Sequence, residues 1–347
     1  MGRPLIQDVE FVSWTDLFKS KGGKAKADPR IRWFGKLPTY PDYYSSPADE
    51  EWVVEFNDWV LKGFELYKSR LTGVRERGVR LPIAGCAIRL PKSGMTVFAS
   101  VLDFGGDMRG RPFPICFYAA MPTVRWPGPT SDRLAGASRV IRDLLALRRE
   151  VPRFLNSPGR FEARFGNREV DLNEIDEPTA DATWQAAAKT VGLADWFEGA
   201  KAGMKVKERD VWLRLALAWG DKLADHESKD FEPTLRFPLA TRLPLDAQVA
   251  GWFRWLESRM DLKRRALSLV VSGEAGDELG HLTVVARDVV TDDFLLLTSL
   301  SRTLNYLDDL SQIESSVQTA PRTEPVTPGW SPSGTWLDFV NSTVMVT

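Results

Sequence analysis

Residues 82–121 read PIAGCAIRLPKSGMTVFASVLDFGGDMRGRPFPICFYAAM. Three apolar runs, PIAGCAIRL, MTVFASVL and FPICFYAAM, are separated by the turn-prone PKSG and DFGGDMRGR. Short runs rich in β-branched and aromatic residues and bounded by Gly, Pro, Asp and Ser are strands, and the first two are close enough to form a hairpin. A sheet therefore lies at the centre of this part of the chain.

Working outward, Ser46-Pro47-Ala48-Asp49 has the pattern of a helix start, with Ser as N-cap and Pro in the first turn. The spacing of Trp52, Phe56, Trp59 and Gly63, widened by Val53, Val60, Phe64 and Tyr67, predicts an amphipathic helix from Pro47 to about Leu71 that packs on the strands. After the strands, Val140, Leu144 and Leu147 predict a helix from Thr130 to about Val151. Its other face, with Arg139, Arg142 and Arg149, reads as solvated. A further helix is expected over Thr179–Gly199.

The second half repeats the alternation more weakly. Val211–Trp219 is ambiguous between strand and helix, TLRFPLATRLP, ending at Pro244, reads as a strand, and Asp246–Met260 as an amphipathic helix. ALSLVVSG, HLTVVARD and DFLLLTS read as strands. The fold expected is α/β (α+β), an antiparallel or mixed sheet flanked by helices, with two related lobes left open. The boundaries are a 1–29 extension and basic linker, a 30–200 α/β domain, a 201–310 second lobe, and a 311–347 Ser/Thr/Pro-rich linker with an apolar tail.

Lys+Arg 46 against Asp+Glu 47 leaves a net charge of -1, so the chain lacks the overall field that holds nucleic acid. The most apolar uncharged stretch, Pro112–Val124, is about 13 residues and holds three prolines, too short to span a bilayer. The start, MGRPLIQDVE, has no apolar core of a signal peptide, so the expected home is the cytoplasm. Two Cys and two His exclude a disulfide framework or a multi-histidine metal site, and no cofactor or metal is expected. Cys86 and Cys116 lie in apolar strands and read as buried packing; His226 and His281 read as surface or turn residues.

No GxSxG, HExxH, Walker A or Rossmann pattern is present. The loop carboxylates Asp42, Asp103 and Asp107 leave a hydrolase as an alternative, although Asp in such turns is common for backbone reasons. Two local patterns stand out. In Trp33–Tyr43, Gly35 permits close backbone approach and Pro38 and Pro41 stiffen a loop ending in Asp42; in Asp107–Pro114, an acidic turn and Arg111 precede a buried strand. Because both bracket the same helix and hairpin, they are expected side by side, with Arg111 reaching Asp42 or a nearby carbonyl. If Arg111 is buried there, removing it costs about 3 to 5 kcal/mol.

At these residues the chain resembles the TagF (ImpM) family associated with bacterial type VI secretion. Phe34-Gly35-Lys36-Leu37-Pro38 matches the family's aromatic-Gly-Lys-Leu/Ile-Pro run. Pro41-Asp42-Tyr43 keeps the Asp of its Gly-Asp-Phe with Pro for Gly and Tyr for Phe, Trp52 to Trp59 match its Trp-containing helix, and Asp107, Gly110, Arg111, Phe113 and Pro114 match its Ser-x-Asp-x-x-Gly-Arg-x-Phe-Pro run, with Gly105 where Ser is usual. Order and spacing agree over about residues 31–150. The resemblance implies a cytoplasmic, non-enzymatic accessory protein, similar to repressors or assembly factors of the secretion machine. It implies a protein partner, such as a forkhead-associated regulatory protein or another component, with no nucleic acid and no membrane insertion. The residues it marks as a partner-binding or structural motif are Gly35, Lys36, Leu37, Pro38, Asp42, Asp107, Gly110, Arg111 and Phe113. A purely structural assembly component is the other alternative. Both chain ends, Val9–Phe18 and Thr335–Val346, carry apolar residues on polar tethers, and at least one is expected to dock on another protein.

Overall fold

The computed structural model describes residues 27–71, 81–123, 131–175, 185–225, 232–313 and 335–341, apart from residues 187, 242, 263–264 and 274–278 within them. The expectations for Val9–Phe18, for His226 and for the Ser/Thr/Pro-rich stretch up to residue 334 thus fall outside the described residues.

Among the described residues nine strands form one sheet: β1 (Asp28–Lys36), β2 (Tyr43–Ser45), β3 (Ala84–Leu90), β4 (Met95–Leu102), β5 (Ile115–Pro122), β6 (Thr234–Pro238), β7 (Ser268–Ser272), β8 (His281–Val285) and β9 (Leu307–Asp309). Their order is β2-β1-β5-β4-β3-β7-β8-β6-β9. Only β6 and β9 pair in parallel, so the sheet is mixed and the fold α+β. The three runs around which the sequence was read are its centre: β3 pairs β4 as a hairpin, Cys86 opposite Ala99, and β4 pairs β5, Val101 opposite Cys116. β3 also pairs directly with β7, so residues of both expected lobes share one sheet.

The central strands are apolar at nearly every position because both faces are covered. Side chains alternate across a strand. Ile115, Phe117, Ala119 and Met121 of β5 thus join one core with α2 (Ser131–Ala146) and α3 (Pro158–Phe165), while Cys116, Tyr118 and Ala120 join the other with α1 (Glu51–Arg70). The first core continues under α4 (Leu193–Ala200), α5 (Arg209–Asp225) and α6 (Leu245–Glu257). Both cysteines are free and fully buried, and burial pushes the Cys86 thiol up to about 12 and the Cys116 thiol well above its ordinary value.

Several local expectations give way to tertiary contacts. α1 starts at Glu51, not Pro47, because Ser46 bonds back to β1: its hydroxyl accepts the Trp33 N–H (3.2 Å) and its own N–H reaches the Trp33 carbonyl (2.9 Å). DFLLLTS is not a strand. Thr291–Leu297 is a 3-10 helix, opened by buried Asp293, which accepts the Val290 N–H (2.8 Å) and a two-pronged bond from Arg287 (2.6 and 2.8 Å). Val211–Trp219 lies wholly inside helix α5. The strand in TLRFPLATRLP stops at Pro238, and beyond it Gln248 of α6 captures the N–H and carbonyl of Ala240 (2.6 and 3.0 Å). Arg139 is not solvated but bonds Asp246 of α6 (2.9 Å), and His281 is buried in β8.

The described part of the C-terminal segment, residues 335–341, packs on its own chain, while residues 9–18 and 342–346 lie outside the described residues. In α7 (Trp336–Asn341) the Trp336 ring stacks on Trp196 (4.4 Å between centroids), meets Trp252 edge-on (4.9 Å), and lies where a side chain on Gly251 would have to be. Several of the tryptophans are thereby gathered into one aromatic core.

The covering of the second face can be tested at Gly63 of α1. A Cβ there would sit 2.2 Å from Phe294, so Gly63→Ala is expected to lower stability by about 1 to 3 kcal/mol in urea unfolding. Gly159→Ala in α3, with open space around it, is expected to leave stability unchanged or to raise it by up to ~1 kcal/mol.

Candidate functional site

The two sequence motifs meet. β1 ends at Lys36 and turns through Leu37, which is fully buried, and Pro38 into a loop where the Tyr40 N–H bonds the Leu37 carbonyl (3.0 Å). The chain returns as β2, pairing Lys36 with Tyr43 and Gly35 with Tyr44. Opposite, Gly35 lies against β5 so closely that a Cβ would be 2.2 Å from the Pro114 carbonyl oxygen. Only glycine fits. The second motif is a tight turn: Gly110 adopts a positive φ (72°) and its N–H closes on the Asp107 carbonyl (2.8 Å). The Met108 N–H donates to the Tyr40 carbonyl (3.1 Å), which ties the two loops together.

Asp107 is the centre of the arrangement, and its side chain has no exposed surface. One oxygen accepts the backbone N–H groups of Arg109 and Arg111, each at 2.9 Å. The other accepts the Arg111 Nε (2.7 Å) and faces the buried Lys36 Nζ (3.4 Å). Burial would raise this carboxyl, but the Arg111 amide and guanidinium, Lys36 and the Arg109 amide together hold it below the ordinary aspartate value. Burial lowers the Lys36 ammonium below its ordinary value, with Arg111 adding to the effect and Asp107 opposing it. Lys36 also lies over the Tyr43 ring (4.8 Å).

Arg111 crosses to the first loop and donates to the Pro41 carbonyl (2.7 Å), while Asp42 stands at 3.9 Å, too far for a hydrogen bond. The carbonyl is its main contact there. Asp42 itself is 71% exposed and accepts the Tyr43 N–H (2.9 Å). Phe113 anchors the underside edge-on to Phe34 (5.7 Å), Tyr43 (4.9 Å) and Phe64 (4.9 Å), which fixes the loops to α1.

The hydrolase alternative finds no support in this geometry. Asp107 is enclosed and committed to cations and backbone; Asp103 accepts the Leu81 N–H (2.9 Å) and the Gly105 N–H (2.8 Å) in its own turn; Asp42 points to solvent. These are turn-forming roles.

A second charged cluster was not singled out from sequence. Arg32 of β1, buried, bonds Asp28 (2.9 Å), the Pro47 carbonyl (2.8 Å) and Glu50 (2.8 Å), beside a cleft of about 350 Å³ lined also by Trp33, Ser46 and Glu162. Burial would raise the Asp28 carboxyl, but Arg30 and Arg32 hold it below its ordinary value. The available signal was the spacing of Asp28, Arg30 and Arg32, which alternation places on one face of a strand.

Removing Asp107 leaves Lys36 buried without its counter-charge, and Asp107→Ala is expected to cost about 3 to 5 kcal/mol. The Arg111 side chain is 44% exposed and Lys36 remains as a partner for Asp107, so Arg111→Ala is expected to cost only about 1 kcal/mol. This replaces the larger loss expected for a buried arginine. Because the folded-state value of Asp107 is depressed, its contribution is complete above the ordinary carboxylate range and is lost as pH falls through the lowered value. Urea midpoints measured from about pH 6 to 3 should fall in the parent, with a smaller slope in Asp107→Asn.

A family model described as the TagF N-terminal domain, type VI secretion system-associated, matches residues 32–154. These residues hold both loops, α1, α2 and most of the strands β1 to β5. No curated protein matches the chain. Among solved structures, a match is the crystal structure of PA0076 from Pseudomonas aeruginosa PAO1, 19% identical over 39% of this chain, with a TM-score of 0.31. This chain spans 61% of the length of that one. Residues 32–154 thus form a TagF N-terminal domain, described as type VI secretion system-associated.

Proposed function

We propose that this chain is a non-enzymatic accessory protein of a type VI secretion system, acting in the cytoplasm through contacts with other proteins. It regulates the apparatus, by repression, or assists its assembly. The observation that carries the reading is the use made of the TagF motif residues: Asp107, Lys36, Arg111 and Phe113 hold two loops rigid and are committed to one another or to backbone. A built, rigid loop pair suits recognition, because little ordering is needed on binding. Among the described residues no helix is long and apolar enough to cross a membrane. The partner we propose is a forkhead-associated regulatory protein or another component of the apparatus.

The test is made in the bacterium that encodes the chain, by measuring secreted and cell-associated substrate of the apparatus. Repression predicts that deletion raises secretion and overproduction lowers it; assistance predicts a fall on deletion. Unchanged secretion in both strains overturns the reading. Asp42→Asn and Asp103→Asn are expected to restore the parental phenotype in the deletion strain. Loss of complementation by either folded variant would favour catalysis instead.

A further inference from the structure

Four large apolar side chains are exposed among the described residues, and two of them stand together on the loop pair. Met108 is 61% exposed and Tyr40 36%. The hydrogen bond from the Met108 N–H to the Tyr40 carbonyl fixes their backbones side by side. The Tyr40 ring packs on Tyr44 (5.2 Å), whose hydroxyl donates to the Pro158 carbonyl (3.1 Å), and the Thr39 hydroxyl donates to the Leu155 carbonyl (2.8 Å). These contacts bring the segment around residues 153–160 alongside the first loop.

Exposed arginines lie on these segments: Arg109 and Arg111 on the second loop, and on the neighbouring segment Arg153 and Arg160, the latter over the Phe154 ring (5.9 Å). The exposed carboxylates nearby are Asp42, nearest Arg111, Glu65, which acts on Tyr43, and Glu162, which lies near Tyr44. Arg111 is engaged by Asp107, but the side chains of Arg109 and Arg153 form no ion pair among the described residues. A chain of net charge -1 thus has a local basic excess around two exposed apolar groups. Exposed aromatic and Met side chains ringed by arginine have the composition of an interface centre, and the network at Asp107 already fixes their backbone.

We propose that Tyr40 and Met108, with Arg109, Arg111, Arg153 and Arg160, form the docking surface for a protein segment that combines acidic residues with an aromatic or aliphatic anchor. This rests on the reading that the chain acts through protein contacts, and it names the surface and the chemistry of the partner. The apolar centre and the three interspersed carboxylates favour a protein over a polyanion, whose phosphates would gain from the arginines but not from Tyr40 and Met108.

The experiment immobilises the full chain and pans a display library of short random peptides, counter-selected on the Met108→Asp, Arg109→Glu double variant. Enriched peptides are expected to carry Asp or Glu clustered about an aromatic or aliphatic residue. Their Kd is expected to weaken by about tenfold for Met108→Ala and again for Arg109→Glu. Both variants should melt like the parent, since both residues are solvent-exposed. No enrichment, peptides without an acidic bias, or equal binding to the variants overturns the proposal. Labelled single-stranded DNA and phosphatidylserine vesicles are titrated in parallel; binding of either that is abolished by the same variants overturns the assignment to a protein. Failure here with a secretion change on deletion removes the surface and leaves the functional reading. Success here with no secretion change removes the functional reading and leaves the surface.

Discussion

β4 and β5 are buried along their whole length on both faces, and that constraint governs much of the molecule. Backbone N–H and carbonyl groups out of reach of water must find partners, so the central strands need neighbours on either side. β3 and β1 supply the first pair and β7 continues the series, until the sheet ends in three-residue strands, β2 and β9. Short edges offer little to a foreign strand. Helices must cover both faces for the same reason, which places α1 and the 3-10 helix at Thr291–Leu297 on one side and most of the remaining helices on the other.

A sheet buried in this way leaves room for polar chemistry where its strands end. The Asp107 carboxylate is drawn inside at the end of β1 and the start of β5 together with Lys36, and its remaining lone pairs are taken by Arg111 and two backbone amides. An incompletely satisfied carboxylate would be costly there, whereas this one fixes two loops that are distant in sequence. What faces solvent above it, Tyr40, Met108 and the arginines, is held by a base that does not have to reorganise. Rigidity and recognition are therefore linked at this end of the sheet.

The same reasoning accounts for the places where local pattern misleads. Ser46-Pro47 has good helix-start chemistry, yet Ser46 is taken by Trp33 of β1, so the helix begins later. DFLLLTS is apolar enough for a strand, but Asp293 holds Arg287 and the Val290 N–H and starts a 3-10 turn instead, with Phe294 filling the space over Gly63. Arg139 looks like part of a solvated face until Asp246, from a helix more than a hundred residues away, meets it.

By itself the sequence determined the three central strands, the amphipathic α1 and α2, the burial of both cysteines and the two loop motifs, because these follow from periodicity, turn residues and side-chain size, which act over a few neighbouring positions. It also placed Gly35–Asp42 beside Asp107–Pro114, since both bracket the same helix and hairpin. The tertiary structure alone decided which charges pair, as in Arg32 with Asp28 and Glu50, and that the C-terminal Trp336 stacks on Trp196. It decided too that β3 joins β7 in one sheet, and that Arg111 reaches the Pro41 carbonyl rather than Asp42. Such contacts depend on distances between groups far apart in the chain, and side chains of one type are interchangeable in sequence until folding sets which of them can touch.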